Sequence, residues 1–210
     1  MTPIVQYQPA WLRMWQRLGV SRPDPALLSD VLRRYREPQR KYHTLQHLDA
    51  CFTHFAALSD LATHPEEVEL ALWFHDAVYE IRGKDNERLS ADIARSALLG
   101  AGASEAAASR VHALVMASRH AALPQTPDEA IFVDVDLAIL GAPAHEFDAY
   151  ETQVRAEHIS VPEPQLRSGR RIILQQFLAR ERIYQTARFH ERFEARARAN
   201  LARSIDRLTD

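Results

Sequence analysis

His75 and Asp76 stand side by side inside the apolar run Ala71-Leu-Trp-Phe-His-Asp-Ala-Val-Tyr-Glu80. A carboxylate taken out of water is costly unless a cation, a metal or hydrogen bonds compensate it. Two other apolar stretches carry similar groups. His47 precedes His75 by 28 positions, and Asp134 and Asp136 lie in Ile131-Phe-Val-Asp-Val-Asp-Leu-Ala-Ile-Leu-Gly141, with Asp136 60 positions after Asp76. Two imidazoles and two carboxylates form a mixed nitrogen and oxygen set suited to a first-row divalent metal, and one ion accounts for all of them together. The alternative is that each buried group finds its own hydrogen bonds. The chemistry that such an ion offers is that of a Lewis acid able to activate water.

The elements that must position these residues read as helix after helix. Trp11, Leu12, Trp15 and Leu18 share one face of a helix from Pro9 to about Leu18. Asp24-Pro25 supplies a cap and a first-turn proline for the next helix, which Pro38 ends. Thr44 is placed to cap a helix carrying His47, Leu48, Cys51, Phe52, Phe55 and Leu58. The segment from Pro65 to Ile81 reads as one helix bearing His75 and Asp76, and Gly83 closes it. Further helices are read from Asp85 to about Leu99, from Ser104 through Val115, from Asp128 to Leu140, from Ala144 to His158, from Leu166 to about Arg180 and from Thr186 to Leu208. Strand signals are nearly absent. The spacing predicts an all-α fold of about ten helices in a single domain over residues 1–210, because the connections are short.

Composition narrows the function classes. With 46% hydrophobic and 26% charged residues, the chain can build a sizeable core. Its net charge of −2 gives no global attraction for nucleic acid. The basic last helix is rich in alanine, as a packing helix is, and shows no stripe of interleaved aromatics. Cys51 is the only cysteine, which leaves no intrachain disulfide and no cysteine-based zinc site. The first residues, Met-Thr-Pro-Ile-Val-Gln-Tyr-Gln, lack the pattern of a secretory signal, and no run of 18 apolar residues occurs. A cytoplasmic protein with no membrane partner is the expectation.

The order His, His-Asp, Asp on successive helices resembles the HD-domain superfamily of metal-dependent phosphohydrolases. Tyr42-His-Thr-Leu-Gln-His47, Trp73-Phe-His-Asp-Ala-Val-Tyr79, Asp85-Asn-Glu87 with Ser90-Ala91, Asp134-Val-Asp-Leu-Ala-Ile-Leu-Gly141 and Arg170-Arg171 together resemble its bacterial branch of predicted HD phosphohydrolases. The resemblance runs from about Arg40 to about Asn200, with the motifs themselves spanning about 40–141 and C-terminal helices over about 144–208 packed on them. It implies His47, His75, Asp76 and Asp136 as ligands of one divalent ion (Mn, Co, Ni, Fe, Zn or Mg). It further implies hydrolysis of a small phosphoester, nucleotide or nucleotide polyphosphate. The competing expectation is a regulatory module that binds metal and nucleotide without turnover. Open coordination positions favour hydrolysis, since a structural site is usually closed.

Other residues take supporting roles in this reading. Asp76 could bind the ion and orient water, and Glu80, one helical turn beyond on the same face, could serve as general acid or base. Arg40, Lys41 and Lys84 bracket the motif helices as phosphate partners, with solvated surface as their other role. His43 and His120 are candidates for substrate contacts. His54 lies about 10 Å along the helix from His47, too far to share one ion. Arg155, Glu157, Arg170 and Arg171 are expected to form internal ion pairs. Asp134 and Asp136 stand about 200° apart around a helix, so only one can face a given ion. Asp136 shares its face with Phe132, Val133, Ile139 and Leu140, a bulkier and hence deeper face by expectation, and is taken as the ligand. Asp134 is left as a supporting or helix-capping acid.

Overall fold

The computed structural model describes residues 3–20 and 23–209, so Met1 and Thr2, at the head of the segment read for a signal, lie outside it. The described residues form ten α-helices and no strand, as the periodicity predicts: α1 Pro3–Arg17, α2 Pro25–Arg34, α3 Leu45–Ala56, α4 Pro65–Phe74, α5 Asn86–Gly100, α6 Glu105–Ala117, α7 Pro127–Asp136, α8 Ala144–Glu157, α9 Glu163–Leu178 and α10 Ala187–Thr209. No helix among them is long and apolar enough to cross a membrane. Three predicted caps are in place. Asp24 accepts from the Ala26 amide at 2.8 Å, Thr44 from Gln46 at 3.3 Å and Ser104 from Ala107 at 3.2 Å. Contacts gather into two compact units, Met1–Phe132 and Val133–Asp210, which divide inside α7, where short connections predict one domain.

In the first unit α4 is the central element. Leu70, Ala71, Leu72, Trp73 and Phe74 are at most 1% exposed, and the helix packs against α1, α3, α5 and α6. Each large apolar side chain so buried stabilises the unit by about 1.5–3 kcal/mol. Trp73 meets Trp11 edge-on at 5.1 Å and Tyr7 at 5.7 Å between ring centroids. The contact with Tyr7 explains why α1 begins at Pro3 and not at Pro9. Pro9 is inside the helix, but it and Val5 lie on the exposed side, where water can meet the carbonyl that proline leaves without a donor.

The structure corrects the longest expected helix. The segment predicted as helical to Ile81 stops at Phe74, and residues 75–83 are turns and irregular backbone. The His75 amide still reaches Ala71 O at 2.9 Å, but the Asp76 amide donates to the Tyr35 hydroxyl at 3.3 Å. The following backbone groups are likewise taken by side chains. Arg40 Nη1 donates to Asp76 O at 2.7 Å, Arg40 Nη2 to Ala77 O at 3.3 Å, and Ser90 Oγ accepts from the Val78 amide at 2.9 Å. Asn86 accepts from the Glu80 amide at 3.1 Å and donates to Glu80 O at 2.9 Å. A buried chain can leave the helix here because these freed peptide groups find such partners.

The second unit repeats the device around the loop between α9 and α10. Asp134 accepts from the amides of Gln185 and Thr186, each at 2.7 Å, and from the Thr186 hydroxyl at 2.6 Å, so it holds the start of α10. Glu194 accepts from the amides of Ile183 and Tyr184 at 3.1 Å. After α7, residues Leu137–Gly141 tighten into a 3-10 turn where the sequence predicts α-helix to Leu140. That turn is gripped by α10. Asn200 donates to Leu140 O and Ala142 O at 2.9 Å, and Arg196 to Gly141 O at 2.9 Å. A Cβ at Gly141 would come within 2.5 Å of the Phe193 Cβ, so only glycine allows the approach. The ion pairs expected among the C-terminal helices are present for Arg170 with Glu151 and for Arg155 with Glu163.

Replacing Asp134 by Ala should leave two loop amides without their acceptor and lower unfolding stability by about 2–4 kcal/mol. Urea unfolding of the full chain checks this, and an unchanged midpoint would mean that the loop does not depend on Asp134.

Candidate metal centre

The Thr44 cap starts α3 so that His47 falls in its first turn, facing inward at 5% exposure. His75 follows the last residue of α4 and is 2% exposed. Three donor atoms converge there. His47 Nε2 lies 3.1 Å from His75 Nε2, and Asp76 Oδ2 lies 3.1 Å from His75 Nε2 and 3.6 Å from His47 Nε2. Aromatic neighbours fix the rings. Tyr42 lies 4.8 Å from His47 between centroids, and Phe132 stands edge-on to His75 at 6.1 Å.

Protonation sharpens the point. His75 Nδ1 lies 2.8 Å from Leu72 O, an acceptor only, so Nδ1 carries a proton and Nε2 is the nitrogen turned toward His47 and Asp76. A proton on His47 Nε2 could bridge the two rings, yet it would leave Asp76 Oδ2 without a donor. That oxygen is buried and makes no hydrogen bond among the described residues. Burial works to raise the Asp76 carboxyl, but the imidazoles of His75, His43 and His47 outweigh it and hold the group below the usual carboxylate range. The group is therefore an anion facing two imidazoles. A divalent ion bonded at about 2.0–2.2 Å to such atoms sets neighbouring ligands about 3.0 Å apart at right angles and about 3.4 Å apart at the tetrahedral angle. The observed 3.1, 3.1 and 3.6 Å match that spacing, so the residues present fit a metal.

The side chains of His47 and His75 are 4% and 2% exposed and that of Asp76 is 18% exposed, so the solvent-facing edge of the centre, its mouth, is at Asp76, whose Oδ2 is itself buried. His43, half-buried, stacks on Tyr79 at 4.2 Å near this mouth.

Several expected site residues take other positions. The relation that placed Glu80 one turn beyond Asp76 does not hold, because no helix spans 76–80, and Glu80 is exposed. Arg40 is not a surface cation. Its side chain is fully buried between Tyr35 and Tyr79, and besides Asp76 O and Ala77 O it serves His43 O at 3.2 Å and the Glu37 carboxylate. Lys41 and Lys84 are exposed. His120 lies past the end of α6 with a positive φ of 52°, a left-handed conformation that histidine tolerates better than most residues. The expectation that Asp136 occupies the deeper face is reversed. Asp134 is 0% exposed and Asp136, the last residue of α7, is half-buried. Burial pushes the Asp134 carboxyl up to about 6 while its bonds to Thr186 and Gln185 pull it down.

Cys51, set aside by cysteine counting, belongs to the cluster. The donor atoms of His47, Cys51 and His75 lie within 4.8 Å of one another. The signal that could have found it is its spacing of four from His47, one helical turn on the same face. No family model, no curated protein and no solved structure matches the chain.

Zinc or cobalt at about a hundredfold above its Kd should stabilise the chain by about 2.7 kcal/mol, seen as a Tm rise of about 5–10 °C. His75→Ala should abolish the rise; a rise retained there would place the ion elsewhere. Arg40→Ala should cost about 2–4 kcal/mol in unfolding stability, since it strips donors from several buried carbonyls. It should also weaken metal binding about 10–100-fold, as loss of an outer support does. Wild-type stability and metal affinity in that variant would return Arg40 to a ligand-contacting role.

Proposed function

We infer that the protein is a metal-dependent phosphohydrolase of the HD type, acting on a small phosphoester, nucleotide or nucleotide polyphosphate. The convergence of His47 Nε2, His75 Nε2 and Asp76 Oδ2 on one point, with Asp76 at its solvent-facing side, carries this reading. The motif resemblance, carried in part by the same residues, points the same way. His47, His75 and Asp76 would hold the ion. Asp136 is the fourth ligand in this reading, because Asp134 is committed to the start of α10 and the motif order calls for a later Asp.

A divalent ion in this centre supplies Lewis acidity, polarising a phosphoryl oxygen and lowering the pKa of water at the site. The chain's own residues then have three tasks. Asp76 orients the attacking water, whose proton passes to solvent as the water oxygen bonds to phosphorus. His43, held against Tyr79 at the mouth, gives a proton to the departing ester oxygen. Exposed Lys84 draws in the anionic substrate, a role that buried Arg40 does not fill. Glu80 takes no part.

The test is a panel of p-nitrophenyl phosphate and nucleoside mono-, di- and triphosphates, assayed with each of Mn, Co, Ni, Fe, Zn and Mg and with chelator. Turnover of at least one substrate should appear with metal, vanish with chelator and vanish in His75→Ala. Lys84→Ala should raise KM several-fold with metal content unchanged. Full metal occupancy without turnover of any substrate would instead indicate a binding module. Asp136→Asn should lose metal while Asp134→Asn keeps it, and the opposite pattern would exchange the two roles.

A further inference from the structure

We propose that the second unit carries an anion site of its own, in the cleft between α8, α9 and α10, and that it takes a small phosphate monoester dianion with a compact apolar group. This site does not depend on the metal-centre reading.

Charge pairing singles the cleft out. Its volume is about 280 Å³, and Arg155, Arg167, Arg170 and Arg207 line it. Two of these are spent on acids. Arg170 holds the Glu151 carboxylate and donates to the Tyr150 hydroxyl at 2.7 Å, and Arg155 meets Glu163 at 2.9 Å. Ser204 donates to Glu151 Oε2 at 2.9 Å, so the deeper part of the cleft is paired and neutral.

The remaining cations outnumber their acid. Arg203 and Arg207 both bond to one oxygen of Asp148, Oδ1, at 2.9 and 3.2 Å. Arg167 has no carboxylate partner among the described residues, and its Nη2 donates to Arg207 O at 3.3 Å. Three guanidinium groups are thus left to one carboxylate, an excess of two positive charges about the cleft. Arg203 and Arg207 stand one turn apart on α10, and Arg167 comes to them from α9, so the donors approach from two helices. Each guanidinium presents its N–H groups in a planar fork that matches a phosphoryl group. A dianion offsets the excess in full, which a carboxylate with one charge does not. Val154, Leu166 and Leu208 give the cleft its apolar wall. At the low end of the range for small-molecule sites, about 300–1,000 Å³, it has room for a phosphoryl group with one ring or short chain.

The test is calorimetric titration of the full chain, kept in chelator, with phenylphosphonate. This probe has a ring, no ester bond to hydrolyse, and close to two charges at about pH 8. The wild type should bind about one equivalent, at least about tenfold more tightly than benzoate, which has the ring and one charge. Arg167→Ala and Arg207→Ala should each weaken binding about 10–100-fold. Arg167→Lys, which keeps the charge and loses the fork, should fall between wild type and alanine. His75→Ala should bind as wild type does. No binding, equal affinity for benzoate, or wild-type affinity in both alanine variants overturns the proposal. Loss of binding in His75→Ala also overturns it, since the anion would then sit at the metal centre. Binding to vesicles of phosphatidylcholine with phosphatidic acid, without binding of the free phosphonate, overturns it in favour of a lipid surface. Should an alanine variant fail to fold, Arg167→Lys decides, and unchanged affinity there overturns the proposal. None of these results bears on metal-dependent turnover, because the chelator removes the ion.

Discussion

Two imidazole nitrogens and a carboxylate oxygen meet 3.1–3.6 Å apart beside the end of α4, and a single shared proton cannot satisfy all three. Nδ1 of His75 is spent on Leu72 O, so Nε2 is the nitrogen turned inward. Like donors held this close in a buried place cost free energy unless a cation lies among them. Much of the surrounding first unit can be understood as the means of keeping them there. Tyr42 and Phe132 brace the rings, the Thr44 cap sets the phase of α3, and the apolar length of α4 anchors His75 from behind.

The second requirement is an interrupted helix. Had α4 continued to Ile81, the peptide groups from Asp76 to Glu80 would have bonded along the helix. They turn instead, and Tyr35, Arg40, Ser90 and Asn86 take the bonds that the helix gives up. Arg40 is the most committed of these, with its guanidinium buried against two tyrosines and spent on backbone carbonyls. Its job is to hold the shape of the turn, and through the turn the carboxylate of Asp76. In the second unit, Asp134 and Glu194 do the same for the loop before α10. In both cases a charged group serves irregular backbone, which a helical wheel cannot anticipate.

That distinction explains what was legible in the sequence. Helix class, most helix positions and the caps at Asp24, Thr44 and Ser104 follow from local rules, because periodicity and capping act within a few residues. The pairing of His47 with His75 and Asp76 was readable because buried polar groups in apolar runs need partners. The end of α4 at Phe74 was not readable. Its apolar period continues through Ala77, Val78 and Ile81, and the partners that stop the helix come from positions as distant as Tyr35 and Ser90. For the same reason a helical wheel sets Glu80 beside Asp76 and offers Arg40 to a phosphate or to solvent, where the structure buries it against the turn. The depth of Asp134 and Asp136 was inverted because side-chain bulk around a wheel says nothing of the Gln185 and Thr186 amides that allow Asp134 to be buried. Counting cysteines in zinc pairs leaves out Cys51, and its one-turn spacing from His47 is the local signal for its place beside that ring.

The central claim is that a cation sits where the three donors meet. The most direct measurement is an anomalous-difference map from crystals of zinc-loaded protein. It should show one strong peak about 2.0–2.3 Å from His47 Nε2, His75 Nε2 and the Asp76 carboxylate. Crystals with zinc in the medium but no peak at that point, and a hydrogen-bonded water or direct imidazole contact in its place, would contradict it.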